Sequence, residues 1–228
     1  MTEPVELTVL MPCLNEAKSL AFCIKEAKKC INALGVSAEI LIADNGSTDR
    51  SCQIADSRGA RVINVLDRGY GAAIRGGIKA AKGRYIIMGD CDGSYDFSRL
   101  GDFLEKLRGG NALVVGNRFL GGIEKGAMPF SHKIGVPFLS TLARWKYRVP
   151  IRDFHCGLRG FDREKALALG LQHRGMEFAT EIIARFAESG ATVCEIPTVL
   201  RKDRRNGKSH LRTVRDGFRH LKFILFSK

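Results

Sequence analysis

The sequence predicts an α/β protein in which helices flank a mostly parallel sheet, with basic amphipathic segments towards the C-terminus. Short runs rich in Ile, Leu and Val alternate with helix-length segments in the first half of the 228 residues, which is the pattern of strand–helix–strand units. Each of these strands is followed directly by a polar or glycine-rich turn. Because ligands of open α/β sheets bind beyond the carboxyl ends of the strands, these turns are expected to form one site.

The individual elements are predicted from hydrophobic spacing. A first strand is expected at residues 7–11, ahead of Pro12, and the next helix is expected to end at Gly35. Ser47 or Thr48 is expected to cap the helix after the second strand. After residue 118 the alternation stops. Further strands are predicted at 39–43, 60–66, 84–89, 112–115 and 192–196, and further helices at 69–83, 98–107, 177–190 and 211–228.

The fourth predicted strand ends in a cluster of acids, with Asp90 and Asp92 two positions apart and Asp96 beyond them. In an extended chain, side chains two apart project the same way. Two converging carboxylates repel each other unless a cation lies between them, and oxygen ligands of this kind suit Mg²⁺ or Mn²⁺. A solvated acidic turn is the alternative for so short a motif.

Composition is that of a globular protein, with 45% hydrophobic and 27% charged residues. No apolar run reaches the length of about 18 residues that a spanning helix needs, and the acidic N-terminus is not predicted to be a signal peptide. The seven cysteines are scattered and never in C-x-x-C spacing. This favours reduced thiols in a cytoplasmic protein over a zinc site or a disulfide framework.

The net charge of +13 is unevenly distributed. Residues 1–117 contain 15 Lys and Arg against 14 Asp and Glu, whereas residues 118–228 contain 22 against 10. The chain is therefore interpreted as one domain, residues 1–228, with a nearly neutral first half and a basic second half. The basic half is expected to meet phosphates, nucleic acid or a membrane surface.

Six motifs occur in a fixed order along the chain. They are P-x-x-N-E at residues 12–16, D-N-G-S-T-D at 44–49, D-x-D at 90–92, G-N-R-F at 116–119, D-x-x-x-G-x-R-x-F at 153–161 and R-x-x-G-x-S at 204–209. In this order they resemble the family 2 glycosyltransferases of GT-A (Rossmann-like) fold, particularly the branch of dolichyl-phosphate mannose and glucose synthases. Two departures are Asn45, where the family has a second Asp, and His210, where Lys is usual.

The resemblance implies roles for the motif residues. Residues 1–117 would form the nucleotide-sugar-binding half and residues 118–228 the acceptor- and membrane-facing half. The residues that bind the nucleotide-sugar would be Pro12, Asn15, Glu16, Asp44, Asn45, Asp90, Cys91, Asp92 and Arg204. The metal ion, Mg²⁺ or Mn²⁺, would be held by Asp90, Asp92 and Ser94. The catalytic residues would be Asp92, Asp153, Arg118 and Arg204.

The acceptor implied by the resemblance is a polyprenyl or dolichyl phosphate, and the reaction would invert the anomeric carbon. An anionic phosphate oxygen needs positioning more than deprotonation, so a general base is not required, although Asp153 is the best candidate for one. Residues 128–149 and 211–228 combine apolar faces with Lys and Arg, as interfacial helices do. A peripheral protein on the cytoplasmic face of the membrane is therefore expected.

Other functions are left open by the sequence. A family 2 glycosyltransferase with a soluble or glycan acceptor is the main alternative. Nucleic-acid binding by the basic half is less favoured, because no nucleic-acid module and no alternation of aromatic and basic residues is found. A nucleotidyltransferase would need a glycine-rich basic loop after the first strand, which residues 12–16 do not form. No residue pattern distinguishes a UDP-linked from a GDP-linked sugar.

Overall fold

A seven-stranded sheet forms the centre of the fold in a computed structural model that describes residues 4–205 and 213–227. The strands lie in the order β3-β2-β1-β4-β6-β5-β7. β6 runs antiparallel to both of its neighbours, and the other pairings are parallel, which confirms the predicted mostly parallel sheet. The strands are β1 Leu7–Cys13, β2 Ala38–Asp44, β3 Arg61–Asn64, β4 Tyr85–Met88, β5 Leu113–Asn117, β6 Arg159–Asp162 and β7 Val193–Pro197.

The helices pack on this sheet in two groups. α1 contacts α2 and α4, whereas α3 packs on β1 and β2 and contacts α7 and α8; α6 and α9 contact each other and α8. Gly35 ends α1 in a left-handed conformation, as predicted. The helices are α1 Leu20–Leu34, α2 Ser51–Ser57, α3 Tyr70–Ala80, α4 Leu100–Arg108, α5 Arg118–Gly121, α6 Phe130–Tyr147, α7 Arg163–Ala168, α8 Phe178–Glu188 and α9 Thr213–Phe226.

The core lies on both sides of the central strands. β4 is buried along its whole length, because a strand in the middle of a parallel sheet is covered on both faces. In α1 the buried residues Leu20, Ile24 and Ala27 recur at helical spacing. Both halves of the chain contribute strands to this one sheet, so the turns of the first half and the basic segments of the second half are brought together.

Two local features differ from the sequence-based prediction. β6 and the short helix after it, α7, lie where no regular structure was predicted. Neither Ser47 nor Thr48 caps α2; instead the Asp49 carboxylate accepts a hydrogen bond from the backbone N–H of Ser51. The backbone N–H of Thr48 instead donates to the Asn15 side chain, so these residues join two loops rather than begin a helix.

The two segments predicted to be amphipathic are both helical over most of their length, as α6 and α9. Neither these nor the other helices in the described ranges are long and apolar enough to cross a membrane. In α9 the buried residues include His220, Phe223 and Ile224, whereas Phe218 and Leu225 are exposed. Residues 206–209 of the last motif, and His210, lie outside the described residues.

Candidate functional site

A cavity of about 500 Å³ opens beyond the carboxyl ends of β1 and β4. The predicted site residues Pro12, Glu16, Asn45, Asp90, Cys91, Asp92, Ser94 and Arg118 line it, together with further residues, among them Tyr70, Tyr95, His132 and Arg205. The cavity therefore draws on the turns after β1, β2, β4 and β5, as the strand-end argument requires.

The acids of the D-x-D motif lie at the floor of this cavity, where β4 ends. Asp92 is buried, and its Oδ1 accepts a hydrogen bond of 2.9 Å from the backbone N–H of Ser94. Asp90 is partly exposed to the cavity, which the side chain of Tyr70 also lines. The backbone of Gly157 passes so close that a Cβ there would meet Asp90 Oδ2 at 2.7 Å, so a larger residue would displace the Asp90 carboxylate.

Crowding of carboxylates perturbs their ionisation. Burial, followed by the negative charge of Asp92, raises the pKa of the Asp90 carboxyl to about 6. Burial also raises the pKa of the Glu16 carboxyl to about 7, with the charge of Arg205 opposing that shift. Buried acids that repel one another in this way are stabilised by added positive charge. The floor of the cavity is thus a site that favours cations.

Two adjacent arginines, Arg204 and Arg205, have different surroundings. Arg205 extends into the cavity, where its Nη1 lies 3.0 Å from Glu16 Oε1 and its Nη2 lies 2.6 Å from Asp92 Oδ2. Arg204 is exposed and stacks over the ring of Phe22, with 3.7 Å between its Cζ and the ring centroid. The structure therefore places Arg205 at the acids, whereas the sequence had suggested Arg204.

The loops after β1 and β2 are locked together by their motif side chains. Asp44 accepts the backbone N–H groups of Gly46 and Ser47, and Asn15, at φ 58°, accepts those of Thr48 and Asp49. Neither side chain lines the cavity.

Asn45, by contrast, faces the cavity and also fixes the next loop. Its side chain donates to the carbonyl groups of Val65 and Asp67 and accepts the backbone N–H of Gly69. The amide is suited to this position because it both donates and accepts hydrogen bonds, which a carboxylate cannot do.

Arg118 and Asp153 form a buried, two-pronged ion pair. Arg118 Nε lies 2.8 Å from Asp153 Oδ2, Nη2 lies 2.8 Å from Oδ1, and the backbone N–H of Arg118 also donates to Oδ2. Asp153 is completely buried and does not line the cavity, whereas Arg118 does. Asp153 thus holds Arg118 in place at the cavity wall, from a position outside the cavity lining.

Several residues at the cavity were missed by sequence reasoning. Tyr70 begins α3, the next element after β3, in one of the strand-end turns that the sequence predicted to form the site, but no role was assigned to it. Tyr95 accepts the backbone N–H of Gly157 at 2.7 Å and so joins the D-x-D turn to the loop before β6. That contact depends on β6, for which the sequence had no clear pattern.

The carboxylate oxygens at the end of β4 suit a hard divalent cation whose remaining ligands come from substrate and water. In the described ranges, no group of three or more His, Cys, Asp or Glu residues could hold a metal ion. Mg²⁺ and Mn²⁺ sites that accept substrate phosphates commonly use one or two carboxylates and complete their shell with phosphate and water oxygens. Asp90 and Asp92 meet that requirement, and the repulsion between them favours a cation.

Comparisons with known proteins agree with this architecture. A model of Glycosyl transferase family 2 matches residues 8–168. The low-salt glycan biosynthesis hexosyltransferase Agl6 of Haloferax volcanii is 36% identical over 221 residues, which cover 96% of this chain and 53% of that protein. A dolichyl-phosphate hexose transferase of Haloferax volcanii is 28% identical, with 86% of this chain and 83% of that protein covered.

The fold also matches solved structures. Glucosyl-3-phosphoglycerate synthase from Mycobacterium tuberculosis, crystallised with Mn²⁺, UDP and glucosyl-3-phosphoglycerate, superimposes with a TM-score of 0.76 at 19% identity, covering 97% of this chain and 79% of that one. At that identity the likeness concerns the fold. This chain spans about half the length of Agl6. Because the family model covers most of the chain and includes the strand-end acids, the chain belongs to glycosyl transferase family 2.

Proposed function

We propose that the protein transfers a hexosyl group from a nucleotide-sugar to a polyprenyl or dolichyl phosphate at a membrane surface, with inversion and with the help of Mg²⁺ or Mn²⁺. The observation that carries the proposal is the pair of acids, Asp90 and Asp92, which face a cavity at the strand ends of a family 2 fold. The dolichyl-phosphate hexose transferase among the relatives supports the choice of acceptor.

The donor would lie across the strand ends with its diphosphate towards the acids. Asp90 and Asp92 would hold Mg²⁺ or Mn²⁺, and the chemistry that the ion supplies when bound is stabilisation of the departing nucleoside diphosphate. Arg118 and Arg205 would add positive charge at the same wall of the cavity, where guanidinium groups suit phosphate oxygens. Asp153 would act by positioning Arg118.

The acceptor phosphate would reach the sugar from the side of α6. In the reaction, an anionic oxygen of the acceptor forms the new bond to the anomeric carbon as the bond to the diphosphate breaks. No proton has to be removed from such a nucleophile. The pairing of both Asp153 oxygens with Arg118 is compatible with a reaction that uses no general base.

The membrane part of the proposal rests on α6. This helix begins beside the cavity, which Met128, Pro129 and His132 line. Four of its exposed side chains, Phe130, Ile134, Phe138 and Trp145, are spaced by four, four and seven residues and so share one face. Exposed Lys133 and Arg148 provide basic groups near that face.

A second cavity of about 310 Å³ lies between α5 and α6, and apolar side chains form part of its lining. Leu120 and Pro137 lie in its wall and Arg144 and Arg152 supply charge. Arg118 lines the first cavity, and the next two residues of α5, Phe119 and Leu120, line this second one. An apolar chain could therefore lie in the second cavity while its phosphate reaches the nucleotide-sugar in the first. The second cavity thus supports a lipid acceptor.

The direct test is a transfer assay with radiolabelled nucleotide-sugars and vesicles that contain a polyprenyl monophosphate. Wild-type protein should move label into the organic phase in a reaction that needs Mg²⁺ or Mn²⁺. Asp92→Asn should lower the rate by about 100-fold, the usual effect of removing one electrostatic stabiliser of the transition state. Asp102→Asn, which changes an exposed acid on α4, should leave the rate unchanged.

Parallel reactions with free glycans and soluble phosphorylated acceptors would distinguish the acceptor classes. Label that appears only in a soluble product would replace the lipid acceptor with a soluble one. Absence of transfer to every acceptor, from both UDP-linked and GDP-linked sugars, would contradict the proposed reaction itself.

A further inference from the structure

The guanidinium group of Arg205 occupies the acidic floor of the cavity. It bridges two carboxylates, with 3.0 Å to Glu16 and 2.6 Å to Asp92, and both acids are buried. Its charge keeps the pKa of Glu16 lower than burial alone would make it. Arg205 therefore supplies positive charge to Asp92, one of the two acids that a divalent cation would neutralise.

The oxygen atoms of Asp92 show why the two cations compete. Oδ1 accepts the backbone N–H of Ser94 within the D-x-D turn, and Oδ2 accepts from Arg205 Nη2. A metal ion bound to Oδ2 would therefore lie next to the guanidinium group. A divalent ion and a guanidinium group this close together repel each other, so binding of the metal ion to Oδ2 requires the guanidinium group to move away.

The backbone that carries Arg205 is fixed independently of these ion pairs. The backbone N–H of Arg204 donates to the carbonyl of Asp92 at 2.8 Å, and that of Arg201 donates to the carbonyl of Ser94 at 2.8 Å. The Asp203 side chain accepts the backbone N–H of Arg205. The side chain of Arg205 can thus leave the acids by rotation while its backbone stays beside the D-x-D turn.

Comparison with Arg159 indicates that Arg205 is not simply a structural arginine. Arg159 is fully buried, and its Nε, Nη1 and Nη2 all donate to backbone carbonyl groups. Arg205 borders the cavity, and its Nε is buried with no hydrogen-bond partner in the part of the chain that the structure describes. Once the side chain turns towards the cavity, this spare donor becomes available to a phosphate oxygen.

We propose that Arg205 is the resident counter-cation of the D-x-D site, which a divalent cation must displace from Asp92 and which then turns to the diphosphate of the donor. The inference rests on the proposed function, because it requires a metal ion on Asp92. It makes binding of the metal ion alone unfavourable. It also couples metal binding to nucleotide binding, because the diphosphate offers the released guanidinium a new partner.

Binding of Mn²⁺ without turnover tests this inference. The free ion is measured by electron paramagnetic resonance during titration of wild type, Arg205→Gln and Arg204→Gln, with and without UDP or GDP. In the absence of nucleotide, Arg205→Gln should bind Mn²⁺ about tenfold more tightly than wild type, within the usual range of coupling between sites. Arg204→Gln makes the same charge change one residue away and should stay within about twofold of wild type, because the Arg204 side chain stacks on Phe22 and not on the carboxylates of the acids.

The nucleotide arm gives a second readout. The gain in Mn²⁺ affinity on adding the nucleotide should be smaller in Arg205→Gln than in wild type, because the competing cation is already absent. If Arg205→Gln does not fold, Arg205→Lys replaces it: lysine lacks the fork that joins Glu16 and Asp92, and Mn²⁺ affinity should still rise several-fold.

The outcomes separate the two proposals. If wild type binds Mn²⁺ with a nucleotide and Asp92→Ala abolishes this binding, but the Arg205 variants bind Mn²⁺ no more tightly than wild type, the counter-cation inference is overturned and the proposed function stands. If wild type binds no Mn²⁺ with either nucleotide, the metal-dependent function fails and the inference fails with it.

Discussion

The pair formed by Arg118 and Asp153 shows how one residue can serve a site without facing it. Asp153 has no exposed surface, and both of its carboxylate oxygens accept hydrogen bonds from Arg118. The backbone N–H of Asp153 donates to the Glu195 carboxylate. An arginine held on two sides by a buried carboxylate has little freedom to move. Its contribution to the cavity is therefore a charge at a fixed position.

Replacement of Asp153 by Asn should destabilise the protein strongly. The variant leaves the Arg118 charge buried without its partner, and breaking a buried ion pair in this way costs about 3–5 kcal/mol. Urea denaturation should show this loss in the free energy of unfolding. Asp102→Asn breaks the exposed Arg99–Asp102 pair and should cost less than about 1 kcal/mol. Equal losses in the two variants would contradict the structural role of Asp153.

Which of the two adjacent arginines, Arg204 or Arg205, contacts the acids could not be predicted from the sequence. The acids Asp90 and Asp92 could be placed at the cavity because strand ends meet at one edge of a sheet. Neighbouring residues of an extended segment project to opposite sides, and only packing decides which side faces the cavity. Here Arg204 packs on Phe22, which leaves Arg205 for the acids.

At the scale of elements, α6 combines a packed face with an exposed apolar face. Ser140 and Ala143 are buried, and Lys146 donates to carbonyl groups at the end of α9. The opposite stripe of Phe130, Ile134, Phe138 and Trp145 is exposed. Apolar side chains grouped in this way on a surface, with basic residues beside them, are typical of interaction sites and of interfacial helices.

Removal of this stripe should weaken membrane binding. The double variant Phe138→Ser, Trp145→Ser should bind anionic vesicles at least about tenfold more weakly than wild type, because each large apolar side chain contributes about 1.5–3 kcal/mol when fully buried. Co-sedimentation with vesicles measures the affinity. Leu66→Ser is the control, since Leu66 is 91% exposed but lies in the turn after β3. Unchanged binding of the double variant would exclude α6 as the membrane-facing element.

β6 shows why some elements could not be predicted. It has four residues, and its first, Arg159, is charged yet fully buried because backbone carbonyl groups satisfy its guanidinium. No hydrophobic alternation can emerge from so short a strand. The longer strands and helices of the first half could be located to within a few residues, because each contains enough apolar residues at regular spacing to identify it.

At the scale of the whole molecule, the sheet joins two regions of different charge. The first half has a net charge of +1 and contributes the acids, and the second has a net charge of +12 and contributes Arg118, Arg205 and the basic helices. The sheet begins with strands of the first half, β3, β2, β1 and β4, and continues with β6, β5 and β7, of which β6 and β7 belong to the second half. The acids at the end of β4 therefore lie at the boundary with the basic half. That arrangement favours anionic substrates at the strand ends.

The central claim is that the acids at the end of β4 bind a metal ion and a nucleotide together. Thermal unfolding followed by dye fluorescence tests it, with UDP, GDP, UDP-sugars and GDP-mannose, each with and without Mn²⁺. A ligand at about 100 times its Kd adds about 2.7 kcal/mol to the stability of the folded state, which for a chain of this length raises Tm by about 5–10 °C. We expect Tm to rise by this amount with nucleotides of one base, only when Mn²⁺ is present, and we expect the rise to be lost in Asp92→Ala. A rise in Tm that persists in Asp92→Ala would contradict the claim, and so would the absence of a rise with every nucleotide.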